Sequence, residues 1–103
     1  MQKEYICDRY GHEIYITEER WEHIQQEHPD MVGYYQHVLE TLRLGKRTQD
    51  DLETSKYFYV KPFQDLVDFN NHVIVVVKFA RTKDEFGREV PNNFILTAYQ
   101  NFF

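Results

Sequence analysis

The run from Asn71 to Arg81, Asn-His-Val-Ile-Val-Val-Val-Lys-Phe-Ala-Arg, constrains this chain more than any other stretch. β-Branched side chains lose little χ1 freedom on a pleated surface, and the Asn70-Asn71 pair ahead of them is a turn signal, so the run predicts a strand. An unbroken apolar run with no polar alternation implies burial on both faces. The strand is therefore expected in the middle of a sheet, with neighbours on both edges and a helix layer over at least one face. Lys78 and Arg81 close the run. A cation at the point where a strand leaves the core reaches a site without being stranded among apolar groups.

With 103 residues the chain is expected to be one domain. Its 17% of aromatic residues supply the bulk for one well-filled core. Cys7 is the only cysteine, which excludes an internal disulfide and a four-thiolate zinc site. It reads as a small buried residue in a protein of the reducing cytoplasm. No window approaches the ~18 apolar residues of a membrane span, and the opening Met-Gln-Lys-Glu lacks the apolar region of a signal peptide, so no membrane association is expected. The formal charge is −5, and it is unevenly spread. Residues 1–50 hold ten acids and six bases, whereas residues 51–103 hold seven and six. The second half is thus nearly neutral and able to present the local cationic patch that a nucleic-acid partner requires.

Along the chain, Glu4 to Cys7 and Glu13 to Ile16 read as a hairpin turning through Asp8-Arg9-Tyr10-Gly11. Thr17 is a helix cap, with Glu18 and Glu19 at the positive end of the dipole, for a helix running to about His28 before Pro29. Trp21, Ile24 and His28 share one face of it, with His23 and Glu27 as an i, i+4 pair alongside. Asp30 caps an expected second helix from Met31 to about Leu44, stopped by Gly45, with Val32, Tyr35, Leu39 and Leu42 as its apolar stripe. Lys46 to Ser55 reads as an exposed polar loop, and Thr82 to Asn92 as a polar connection. Strands are expected at Lys56 to Lys61, at Gln64 to Phe69 and at Asn93 to Gln100. Alternation in the last puts Phe94, Leu96 and Ala98 on one face and Ile95, Thr97 and Tyr99 on the other. The order predicts an α+β fold, with N-terminal strands and two helices packed on one face of a mainly antiparallel sheet of about four to six strands.

Five histidines raise the question of a metal. His23 and His28 are five residues apart, which turns them roughly 140° away from each other on a helix, so no metal site is expected. The chain also lacks a Gly-rich phosphate loop and a serine elbow, and no cofactor is expected. What remains is a set of polar residues at element ends: His23 or His28, Tyr57, Tyr59, Lys78, Arg81, Thr97 and Tyr99. A metal-free ribonuclease uses these types. A base takes the 2′-hydroxyl proton, a cation holds the phosphate as its charge grows, and an acid protonates the departing 5′-oxygen. One by one, each residue also has a structural reading: the tyrosines as sheet aromatics, Thr97 as a strand former, and His23 as a solvated partner of Glu27.

Several segments together resemble a known family. They are Ile16-Thr17-Glu18-Glu19-Arg20-Trp21-Glu22-His23-Ile24 with His28-Pro29, Val38-Leu39-Glu40-Thr41-Leu42, Lys56-Tyr57-Phe58-Tyr59, Val75-Val76-Val77-Lys78 and Phe94-Ile95-Leu96-Thr97-Ala98-Tyr99. Over about residues 14 to 100 the chain resembles the phage-associated members of the barnase, EndoU, colicin and RelE-like nuclease superfamily. The resemblance implies a metal-independent endoribonuclease of toxin or effector type that cleaves RNA through a 2′,3′-cyclic phosphate. It implies His23, His28, Lys78, Thr97 and Tyr99 as catalytic positions and Arg20 as a phosphate ligand, to which the residue reading adds Tyr57, Tyr59 and Arg81 as RNA contacts. The partners that follow are RNA and a cognate antitoxin or immunity protein. The alternative is a non-catalytic interaction or immunity-like module that keeps the fold, since an acidic surface imitates nucleic acid or binds a basic partner. Phe102 and Phe103 end the sequence, and two exposed aromatics there suggest docking in a homo-oligomer.

Overall fold

The computed structural model describes residues 2–103. In chain order the elements are β1 (Lys3–Cys7), β2 (Glu13–Thr17), α1 (Glu18–Glu27), a 3-10 turn (Pro29–Met31), α2 (Tyr35–Leu44), β3 (Lys46–Gln49), β4 (Lys56–Pro62), β5 (His72–Lys78), β6 (Arg81–Lys83), β7 (Glu89–Pro91) and β8 (Asn93–Asn101). Six strands form one sheet in the order β1-β2-β8-β5-β4-β3, and β6 and β7 form a separate two-stranded ribbon. All neighbours in the large sheet are antiparallel except β2 and β8, which meet in parallel at Ile14–Asn93 and Tyr15–Phe94. The fold is α+β.

The valine run lies where its composition requires. β5 is flanked by β4 and β8, and Val73 to Val77 are all buried. Both helices cover one face only. There Ile6, Ile14, Ile16, Tyr59, Val73, Val75, Val77, Ile95 and Ala98 pack against Ile24, Met31, Val38, Leu39 and Leu42. The Thr17 hydroxyl accepts the Arg20 N–H at 3.1 Å and so caps α1.

Five local expectations are corrected. The second helix does not begin at Met31: Pro29–Met31 is 3-10, Asp30 makes no side-chain cap, and α2 starts at Tyr35. Gly33, at φ +88°, takes the left-handed conformation that ends one turn before the next begins. The first four residues of the supposed loop are β3, where Lys46, Arg47, Thr48 and Gln49 pair with Val60, Tyr59, Phe58 and Tyr57. An edge strand tolerates such a polar sequence because one flank faces solvent. Residues 64–69 form no strand. Phe63 N–H bonds to Asn71 O at 3.0 Å and closes the segment into a loop, which His37 straps down through Nε2 to both Asp65 oxygens at 2.9 and 3.0 Å. Residues 82–92, expected to be a polar connection, contain the β6–β7 ribbon. Cys7 is exposed, at the turn end of β1.

β8 departs from simple alternation. The register shifts between Val76 and Val77, so that Ile95 lies opposite Val77 but Thr97 lies opposite Val76. Leu96 is the extra residue of a bulge, which puts Ile95 with Ala98 on the helix side and Phe94, Thr97 and Tyr99 together on the other.

Candidate functional site

The face of the sheet turned away from the helices carries Lys78, Thr97 and Tyr99, three of the nine residues singled out by sequence. Register places on it Lys3, Tyr5 and Cys7 from β1, Glu13, Tyr15 and Thr17 from β2, and Phe94, Thr97 and Tyr99 from β8. β5 adds His72, Ile74, Val76 and Lys78, β4 adds Lys56, Phe58 and Val60, and β3 adds Lys46 and Thr48. Four lysines and one glutamate thus share a face in a chain whose net charge is −5.

Aromatic rings run across that face. Tyr5 and Tyr15 have centroids 5.6 Å apart, Tyr15 and Phe94 6.0 Å, and Lys3 Nζ sits 4.3 Å above the Tyr15 ring. At the other end of β8, the His28 imidazole lies 5.6 Å from the Tyr99 ring. The Thr97 hydroxyl, between the two ends, is buried without a hydrogen-bond partner. Lys78 and Lys56 share one carboxylate, Glu53, at 3.7 and 3.6 Å.

Among the catalytic candidates, His28, Thr97, Tyr99 and Lys78 therefore gather along the β5–β8 pair, but not around one point. Tyr99 stands opposite Ile74, four residues from Lys78, a separation of about 13 Å along the strand. His23 is exposed on α1 and is not in this group, and Arg20 lies near the start of the same helix. Arg81 sits on the ribbon, exposed and paired with Glu89 at 3.5 Å. Tyr57 and Tyr59 lie on the opposite, helix-covered side, where Tyr59 is wholly buried.

Tyr59 belongs to a second cluster, which sequence reading did not find. The Asp8 carboxylate is buried at the β1–β2 turn. Its Oδ1 accepts the N–H of Tyr10 at 2.9 Å and of His12 at 2.8 Å, and its Oδ2 accepts the Tyr59 hydroxyl. Burial alone raises the pKa of Asp8, but the Tyr59 bond, the two backbone donors and nearby His12 outweigh it and hold the group below 3.8. Burial and the Asp8 bond push the Tyr59 hydroxyl up, so it stays a donor. Arg47 Nη1 lies 3.3 Å from the Tyr59 oxygen, 3.3 Å from His12 Nδ1 and 3.7 Å from Asp8 Oδ2. Its guanidinium carbon is 4.5 Å from the Tyr10 ring centre and 4.5 Å from that of Tyr57. The one available sequence signal was Asp8 ahead of a turn. Arg47 was hidden because the strand that aims it carries no apolar pattern.

Comparison with protein-family models, with curated proteins and with solved structures finds no match. The chemistry must be read from the residues themselves. No cluster of three or more His, Cys, Asp or Glu side chains suited to a metal occurs among the described residues, and no helix among them is long and apolar enough to cross a membrane.

Proposed function

We propose that the protein is a metal-independent endoribonuclease that lays single-stranded RNA across the helix-free face and cleaves it to a 2′,3′-cyclic phosphate. The observation that supports this reading is the segregation of Lys3, Lys46, Lys56 and Lys78 with Tyr5, Tyr15, Phe58, Phe94 and Tyr99 on one face of an acidic chain. Bases stack on aromatic planes without regard to sequence, and lysines track the phosphates. In this reading His28, held against Tyr99, exchanges protons with the 2′-hydroxyl or the leaving oxygen, and Thr97 positions the ribose beside it. Lys78 neutralises a phosphate farther along the strand, because about 13 Å separates it from the Tyr99 end.

The test is incubation of purified protein with unstructured and structured RNA in EDTA. Cleavage is expected, with cyclic-phosphate ends, and His28→Ala is expected to reduce it by about 10²-fold or more. Intact RNA after wild-type treatment, with active control nuclease, removes the proposal.

One observation favours a second reading, a non-catalytic interaction module: Glu53 already engages both Lys56 and Lys78. Glu53→Gln separates the two. The nuclease reading expects tighter RNA binding and faster cleavage in that variant, whereas the module cleaves nothing with either residue at position 53. A cognate antitoxin or immunity protein, and a cytoplasmic site of action, belong to the same proposal and are tested by co-purification from the native host.

A further inference from the structure

β1 ends the large sheet and leaves its outer edge open. The Asp8 N–H bonds to His12 O at 2.9 Å, which makes these two a hydrogen-bonded pair of the β1–β2 ladder. Bonded and non-bonded pairs alternate in an antiparallel ladder, and the register runs without a shift from Cys7–Glu13 to Lys3–Thr17. Ile6–Ile14 and Glu4–Ile16 are therefore the bonded pairs, and the peptide groups of Lys3, Tyr5 and Cys7 turn away from β2. They meet no backbone partner among the described residues. Of the β1 residues only Ile6 is buried. An edge of this kind is a template for one more strand.

Along this edge runs a groove of about 820 Å³, whose walls include Lys3, Glu4, Tyr5, Glu18, Trp21 and Tyr35. Consecutive residues of β1 line it, so it follows the strand edge and is closed on the helix side by α1 and α2. The Trp21 and Tyr35 rings, 5.1 Å apart and inclined at 60°, form its aromatic wall. Tyr35 donates its hydroxyl to Glu4 Oε1, which fixes that carboxylate and leaves Oε2 without a bond among the described residues. Glu4 and Glu18 make no ion pair among those residues. The lysine on the wall is engaged elsewhere: Lys3 Nζ lies 4.3 Å above the Tyr15 ring, across the strand on the helix-free face. Ring faces beside two carboxylates that lack a cation suit a lysine or arginine side chain.

We propose that a basic peptide adds to the outer edge of β1 as a further strand, with a lysine or arginine opposite Glu4 laid in the groove against Trp21 and Tyr35. A residue opposite Glu4 points its side chain to the same, helix-covered side, while its neighbours, opposite Lys3 and Tyr5, exchange main-chain bonds with β1. The net charge of −5 draws a basic partner toward the edge. The site does not depend on the nuclease reading, and its test contains no RNA. Trp21 is the only tryptophan, so its fluorescence reports on the groove as the capped peptide Thr-Lys-Val-Lys-Thr is added to the full chain. A saturable change is expected, with slowed amide exchange at Tyr5. Glu4→Gln, Glu18→Gln and N-methylation of the peptide's central valine, whose N–H faces β1, are each expected to weaken binding about fivefold or more. Glutamine at position 4 still accepts from Tyr35, and melting curves report that both variants stay folded. No saturable change up to 10-fold above ~1 mM, the affinity scale of a weak site, overturns the proposal. Equal binding by the N-methylated peptide, by one with glutamate in place of lysine, or by capped lysine alone also overturns it.

Discussion

Asp8 and Thr97 show how differently two polar side chains sit in the same protein. Asp8 gathers donors from the turn, from Tyr59 and from the neighbourhood of Arg47, so its removal leaves the buried Tyr59 O–H without an acceptor. Asp8→Ala is expected to cost about 3 kcal/mol at pH 7, measured by urea unfolding. The sign with pH follows from the lowered pKa. A carboxylate whose folded pKa lies below its unfolded value stabilises above the unfolded pKa, and that contribution disappears as pH falls through the folded one. The gap between wild type and Asp8→Ala should therefore narrow below about pH 4. Thr97 has the opposite character, a buried hydroxyl without a partner. Thr97→Val is nearly isosteric and is expected to gain about 1 kcal/mol of stability. The nuclease reading adds that the same variant loses RNA cleavage, the trade that marks a polar group kept for function. A stabilised variant with undiminished cleavage would show that Thr97 takes no part in the site. Thr97 was legible in the sequence as a strand residue of interest. Asp8 was legible only as a turn former, because its partners lie 51 and 39 residues away in the chain.

At the scale of elements, the joints were harder to read than the elements. Thr17 with Glu18 and Glu19 marked the start of α1 correctly, since a cap and its acids act within one turn. The interruption before α2 escaped because the apolar stripe continues through Val32, which lies outside the helix and is exposed. β3 escaped because its partner, not its composition, makes it a strand. Gly45 is the tightest joint. A Cβ there would stand 2.4 Å from Thr41 O and 2.9 Å from Val60 O, both backbone atoms that do not swing aside. Gly45→Ala is thus expected to destabilise by about 2 kcal/mol or more, through α2 being pushed off β4, and to lower the melting temperature accordingly. Gly11→Ala meets nothing within 4 Å and is the control, costing only the ~1 kcal/mol of its left-handed backbone.

Taken whole, the molecule is a sheet with one covered face, one helix-free face and a ribbon projecting from one end. Its extents are 49 × 30 × 23 Å. The ribbon, Arg81 to Pro91, makes its ladder with itself and rejoins the body where Asn92 N–H bonds to Ala80 O at 2.8 Å. Excision of residues 82–90 in favour of a short Gly-Ser turn is expected to shift the melting temperature by only a few degrees, since the ribbon adds nothing to the core cluster. A loss of cooperative unfolding would show that the ribbon supports the sheet. Phe86, exposed at its tip, and Phe102 and Phe103 at the far end are the apolar groups that a homo-oligomer would cover, which light scattering at rising concentration measures.

The sequence by itself determined the α+β class, the central place of the valine strand, the capped first helix and the first hairpin. Each of these follows from periodicity or capping chemistry that operates between residues a few positions apart. Only the tertiary structure decided that β3 exists, that a bulge at Leu96 carries Thr97 and Tyr99 to the same face as Lys78, and that Asp8, His12, Arg47 and Tyr59 meet. Those facts depend on which strand edges pair and in which register. That choice is settled by burying one common apolar face across the whole chain, and no short stretch of residues contains it.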